Sequence, residues 1–250
     1  MKILLTNDDG YAAPGIQVLY ESLRPYHKVV LIAPDREKSA VSHGITLNDP
    51  IRMSPVRLND GDDGYAVTGT PADCVKLGLF DLFTTPPDLI ISGINPGCNT
   101  GVDINYSGTV SAAREGALNG ILSIAVSIKT GKTPDFQGMS RFIANIVDKV
   151  YDNGLPSGTF LNINAPDIPL DEVKGVKITR QASNNLSKQF DKRVDPKNRS
   201  YYWYGRIDQV ADEPDSDITA VLQGYISITP VQCDITNYSV LAELEPFQLP

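Results

Sequence analysis

The chain is poor in the residues that carry thiol and imidazole chemistry. It has 3 cysteines, Cys74, Cys98 and Cys233, an odd number with no CxxC spacing, which argues against a disulfide framework or a thiolate zinc site and for free thiols. Its 2 histidines, His27 and His43, have no ligand spacing, so a histidine metal centre is not indicated. Basic residues are also scarce: 22 Lys and Arg stand against 30 Asp and Glu, the formal charge is -8, and no basic block exists to neutralise a polyanion. A stable complex with nucleic acid is therefore not expected. No apolar run is long enough to span a bilayer, and the opening MKILLTNDDG reaches two carboxylates too soon for a signal-peptide core. A reducing cytoplasm and no membrane partner are the expectation. The acidic balance still allows a small phosphorylated substrate, because one divalent cation can supply the local positive charge.

What is present is an alternation of short β-branched segments with helical patterns. The 250 residues are 41% hydrophobic, enough for a large α/β core. Strands are expected at Lys2–Thr6, Lys28–Ala33, Asp88–Ser92, Ile121–Ser127 and Phe160–Ile163, and helices at Pro14–Leu23, Ala72–Phe83, Gly108–Asn119 and Gly138–Tyr151. Continuous apolar strands imply a mostly parallel sheet covered on both faces, hence a Rossmann-like, three-layer α/β core over residues 1–178.

After about Lys177 the pattern changes. Thr179–Arg199 is polar and charged, and the aromatic run Tyr201-Tyr202-Trp203-Tyr204 follows. Two readings fit that run: a hairpin arm that packs against another subunit, or an aromatic strand that covers its own core. A helix at Asp217–Leu222, a strand at Tyr225–Thr229 and a closing helix at Ser239–Leu244 complete the C-terminal segment, residues 179–250.

In open parallel sheets ligands bind beyond the carboxyl ends of the strands. Asn7-Asp8-Asp9-Gly10 follows the first strand, Ala33-Pro34-Asp35-Arg36 leads from the second to Ser39, and Gly93-Ile94-Asn95-Pro96-Gly97 follows the third. Two adjacent carboxylates raise each other's pKa unless a cation lies beside them. Mg²⁺ or Mn²⁺ takes carboxylate, amide-carbonyl and hydroxyl oxygens, the donors of Asp8, Asp9, Ser39 and Asn95, whereas zinc favours His or Cys. Taken alone, Asp-Asp-Gly also reads as an ordinary turn with a helix cap; its place at the first strand's end favours the metal reading.

Tyr106-Ser107-Gly108-Thr109 opens an alanine-rich helical pattern, and free N–H groups at a helix start favour a phosphate. Gly108 permits close backbone approach, and the hydroxyls of Ser107 and Thr109 add donors; the plainer alternative is an N-cap alone. Gly69-Thr70-Pro71-Ala72-Asp73 reads as a structural strand-to-helix turn.

With these residues in view the chain resembles the SurE family of stationary-phase survival proteins, metal-dependent 5'/3'-nucleotidases. The likeness rests on MKILLTNDDG, on Ala33 to Ala40, on Gly69 to Val75, on Ser92 to Gly97, on Tyr106 to Gly116 and on Ser227-Ile228-Thr229-Pro230. It implies one divalent metal ion per subunit on Asp8, Asp9, Ser39 and Asn95, dephosphorylation of nucleoside monophosphates, in some members of short polyphosphate, and homodimers or homotetramers built by exchange of C-terminal elements. One departure stands out. Some members carry an Asp and, four residues later, a His after Thr229-Pro230, but here Asp234 is followed by Tyr238, so no general acid is expected there.

The expected chemistry is metal-assisted hydrolysis, with water activated beside Asp8 and Asp9 and charge held at the helix N-terminus. An aspartyl-phosphate route is disfavoured, because Gly10 stands two residues after Asp8 where a second Asp is needed. A receiver domain lacks its phosphoacceptor, since Thr70-Pro71 follows Tyr65–Gly69. No GxGxxG follows the first strand, which excludes a dinucleotide reductase. A nucleotide sensor without turnover is the rival from another class.

Overall fold

The computed structural model describes residues 1–58, 63–131, 134–183, 190–205 and 213–247. Parts of the expected C-terminal segment, 184–189, 206–212 and 248–250, thus lie outside the described residues. Eleven strands are described: β1 Lys2–Thr6, β2 Lys28–Pro34, β3 Met53–Arg57, β4 Asp63–Val67, β5 Leu89–Pro96, β6 Leu122–Ile128, β7 Thr159–Ala165, β8 Val176–Ile178, β9 Phe190–Val194, β10 Ser200–Tyr204 and β11 Ile226–Gln232. The helices are α1 Pro14–Leu23, α2 Pro71–Leu77, α3 Gly108–Leu118, α4 Phe136–Asn153 and α5 Asp217–Leu222.

Nine strands form one sheet in the order β3-β4-β2-β1-β5-β6-β7-β11-β8. From β4 to β7 all neighbours are parallel; β3 and β11 run antiparallel to β4 and β7. Alternation along each central strand divides the core between two faces. Ile3, Leu5, Leu89, Ile91, Ile124 and Val126 pack with Ile16 and Leu19 of α1 and Met139 and Ile143 of α4. Leu4 and Ile90 pack with Cys74 and Val75 of α2 and Ala112 of α3, and Ala125 packs with Val110 and Ala113 of α3. Helices therefore cover both faces, the three-layer arrangement that continuous apolar strands require.

The chain winds from β1 to β2 and β4 on one side, then crosses to β5 on the other. The switch point lies between β1 and β5, so their carboxyl ends open the crevice in which doubly wound sheets bind ligands. The loops carrying Asp8, Asp9 and Asn95 sit there.

Several elements differ from expectation. The helix expected to run to Phe83 is α-helical only to Leu77 and continues as a π turn over Gly78–Leu82. Thr70 and Asp73 form a reciprocal capping box, which makes the Gly69–Asp73 turn structural as expected. The edge strands β3 and β8 lie outside the expected set. The former carries Pro55, which is tolerated only at an edge, and the latter spans 3 residues. The closing helix expected at Ser239–Leu244 is instead two short 3-10 segments, Tyr238–Val240 and Ala242–Phe247. Residues such as Tyr238, Leu241 and Leu244 are exposed, and a short helix without a packed face lacks the tertiary contacts that hold helices in water.

The hairpin β9–β10 stands apart from the main sheet, and every residue of both strands is exposed. Of the two readings of the aromatic run, exposure removes the one in which it covers its own core. Phe190 stacks on Tyr204 at 4.8 Å between ring centroids, so the aromatics cluster with one another on the arm.

Candidate active site

The β1 loop is shaped by its own asparagine. Asn7 Nδ2 donates to Gly10 O at 3.0 Å, and Gly10 N donates to Asn7 Oδ1 at 3.1 Å. Gly10 takes φ +104, and an added Cβ would sit 3.3 Å from the Arg36 backbone. Inside that closed turn Asp8 and Asp9 have nowhere to retreat, and the backbone ties them to the neighbouring loop, where Lys38 N donates to Asp8 O at 2.7 Å.

Asn95 arrives by a bulge. Ser92 faces Ala125 and Asn95 faces Ser127, so three steps along β5 match two along β6. The extra residue re-aims the end of the strand, a common device beside active sites. Asn95 Nδ2 donates to Gly97 O at 2.6 Å, which makes Oδ1 the atom it can offer a cation. Ser39 Oγ donates to Glu37 Oε1 at 2.5 Å, leaving its lone pairs for a metal.

These residues open on one cleft of about 460 Å³, lined by Asp8, Asp9, Ser39, Asn95 and Ser107 among the expected set. The volume suits a small ligand. Sequence reading missed Glu37, Asn99 and Asp103, which also line the cleft, and named Tyr106, a further lining residue, only as part of the motif that opens α3. The signal for Asn99 and Asp103 was their position: they fill the segment between the two motifs that were read. Cys98 lines it too, but burial pushes its thiol up to about 12, so it is no thiolate nucleophile near neutrality.

Gly108 and Thr109 stand behind Asp8 rather than in the open cleft. The Thr109 hydroxyl donates to Asp8 Oδ1, and the Thr109 backbone also bonds to that carboxylate. Ser107 accepts from Val110 N at 3.1 Å as the N-cap. The first anion that the α3 terminus meets is therefore Asp8 itself. A Cβ on Gly108 would lie 2.7 Å from the Asp8 Cβ, a separation real side chains do not adopt, so glycine is what lets helix and carboxylate touch.

Burial raises the Asp8 pKa above the usual carboxylate range, against the opposing bonds from Thr109. Asp9 is pushed to about 7, first by burial and then by the charges of Asp8 and Glu37, and its Oδ2 is buried with no hydrogen-bond partner. An orphaned, half-buried oxygen beside a second carboxylate suits a hard cation. Among the described residues no three His, Cys, Asp or Glu side chains gather closely enough to hold a metal by themselves. A cation in this cleft thus needs the neutral oxygens of Ser39 and Asn95 as well as the two carboxylates.

The family model described as "Survival protein SurE" matches residues 3–188. The chain belongs to the SurE family. A relative from Desulfatibacillum aliphaticivorans named 5'-nucleotidase SurE is 48% identical over 250 residues, covering 100% of this chain and 99% of that one. The 5'-nucleotidase SurE of Syntrophobacter fumaroxidans is 45% identical over 100% of both. A crystal structure of the SurE protein from Aquifex aeolicus aligns with a TM-score of 0.85 at 40% identity, over 99% of each chain. The likeness to that structure thus extends into the C-terminal region beyond the family model.

Two outcomes follow. Gly108→Ala should lower turnover on the order of 10²-fold, because shifting α3 off Asp8 by even an ångström misplaces the carboxylate. Thermal stability should fall as well, by roughly 1–3 kcal/mol, the cost of overpacking a buried contact; wild-type turnover in this variant would contradict the packing role. Asp9→Asn should stabilise the metal-free protein. A raised carboxyl pKa means that ionisation costs the folded state, a cost absent below pH 3.8 and complete above about 7. Taken whole that shift is worth roughly 4 kcal/mol; discounted for solvent screening of the partly exposed Asp9, melting scans should show a gain on the order of 1 kcal/mol, roughly 2–4 °C, at pH 8 and none near pH 3.5.

Proposed function

We propose that this chain is a divalent-metal-dependent nucleotidase that hydrolyses nucleoside 5'- and 3'-monophosphates to nucleoside and phosphate, with short-chain polyphosphate as a further substrate. The observation that carries the reading is the unpartnered, half-buried Asp9 carboxylate beside Asp8 in a cleft that also holds the oxygens of Ser39 and Asn95. The relatives' shared name, 5'-nucleotidase SurE, supports the substrate class.

Asp8, Asp9, Ser39 and Asn95 would hold one Mg²⁺ or Mn²⁺, which when bound supplies Lewis-acid charge for the phosphoryl oxygens and acidifies a water. The remaining work belongs to the chain. Asp8, clamped by Thr109, fixes the geometry at the β1 end. Asp9 is the better placed of the pair to orient the attacking water, because its Oδ2 carries no competing bond. Ser107 at the start of α3 and the Asn95 amide hold the phosphoryl group, with Gly108 and Thr109 acting through Asp8. Water adds to phosphorus as the ester P–O bond breaks, and the alcohol leaves with a proton. Tyr106, 52% exposed on the cleft rim, offers a ring face to the nucleobase.

The arm β9–β10 is the proposed contact with further copies of this chain, as a homodimer or homotetramer. Its exposed Phe190, Tyr202, Trp203 and Tyr204 form an apolar surface that is costly to leave in water. Sedimentation should give a mass of two or four chains, reduced to one when Trp203 and Tyr204 are changed to Ser; a wild-type monomer would refute the contact.

Phosphate release from a panel of nucleoside monophosphates tests the activity. Turnover with Mn²⁺ or Mg²⁺ that falls to background with chelator is expected. Binding of nucleotide with no release would favour the sensor reading instead.

A further inference from the structure

The segment that carries Ser39 is held in an unusual backbone state. Ala40 and Ser42 take φ of 55 and 54, left-handed values that cost a non-glycine residue energy and persist only where surroundings enforce them. The enforcing contacts come from three separate elements. Ser42 N donates to Tyr106 O at 2.9 Å, and Ser42 Oγ donates to Asn105 O at 2.7 Å. His43 Nε2 lies 2.9 Å from Glu115 Oε2 on α3, and Thr46 Oγ1 donates to Asp73 Oδ2 on α2 at 2.7 Å.

Glu115 is a poor choice for a merely solvated surface. It is 5% exposed, and its two oxygens are divided: Oε2 to His43, and Oε1 to Lys76 Nζ and Asn119 Nδ2, each at 2.9 Å. Burial raises its pKa, but the bonds from His43, Lys76 and Asn119 outweigh that and hold it at about 2. An ionised carboxylate only accepts, so Nε2 of His43 carries the proton and donates. Glu115 stands on the helix whose N-terminus grips Asp8, and one side chain therefore links the loop to that same helix.

We propose that His43 and Glu115 form a latch that positions the Ser39 loop against the Asp8 end of the cleft. His43 is a positioning residue: it acts through the loop and touches neither cation nor substrate. Without it, Ala40 and Ser42 relax from their left-handed conformations, and the Ser39 oxygen departs from the other donors. This inference rests on the nucleotidase reading for its consequence in catalysis, but its structural content stands apart from it.

Hydrogen exchange on the metal-free protein separates the two. In His43→Ala, the amides of Lys38 and Ser42 should exchange about tenfold faster or more, the size expected when a hydrogen bond to a charged group is lost. His43→Gln, whose Nε2 can reach the same oxygen, should restore protection. Lys76→Met removes a different partner of Glu115 and should leave loop exchange as in the wild type. In the activity assay His43→Ala should raise the Mn²⁺ concentration needed for half-maximal turnover several-fold, with a smaller change in kcat. Wild-type exchange at Lys38 and Ser42 in His43→Ala, or equal loosening in Lys76→Met, would overturn the latch. If wild-type protein releases no phosphate from any substrate, the nucleotidase reading fails while the exchange data still decide the latch.

Discussion

The contact between the first turn of α3 and the Asp8 carboxylate is the constraint on which the cleft depends. A helix terminus carries partial positive charge, and here a side chain of the protein occupies it. That contact fixes Asp8 from behind and leaves Asp9, one residue on, as the carboxylate with an unsatisfied oxygen. The chain thereby keeps a concentrated negative charge in a partly buried place. Such an arrangement is costly on its own and becomes favourable when a cation joins it.

Around this centre the fold supplies donors from three directions. The switch point between β1 and β5 opens the crevice, the bulge in β5 turns Asn95 into it, and the backbone bond from Lys38 to Asp8 brings the Ser39 loop across. None of these donors is adjacent in sequence to another except the Asp pair. Assembly of the site is thus a consequence of sheet order. The orphaned Asp9 oxygen is a local instability, and on the proposed function it belongs with the strained or unsatisfied groups that activity needs.

Much of the frame was legible in the sequence because β1, β2, β5, β6 and β7 are largely buried and read as short, mainly apolar and β-branched segments. The proposed metal donors were legible for a related reason: Asp8, Asp9 and Asn95 stand at strand ends and Ser39 in the loop that follows β2, and strand ends are where parallel sheets place their ligands. Edge strands were not, since β3 is half exposed and carries Pro55, and exposure erases the alternation that marks a strand. Nor was the bond from Thr109 to Asp8, which spans 101 residues and reassigns a hydroxyl expected at the phosphate to a carboxylate. Glu37, Asn99 and Asp103 escaped notice because loop path, not periodicity, brings them to the cleft.

Anomalous diffraction from crystals soaked in Mn²⁺ reads the central claim directly. One strong peak is expected within coordination distance of oxygens from Asp8, Asp9, Ser39 and Asn95. Crystals that take up Mn²⁺ elsewhere, or not at all, while the Asp8–Asp9 cleft shows no peak would contradict a cation as the partner of these carboxylates.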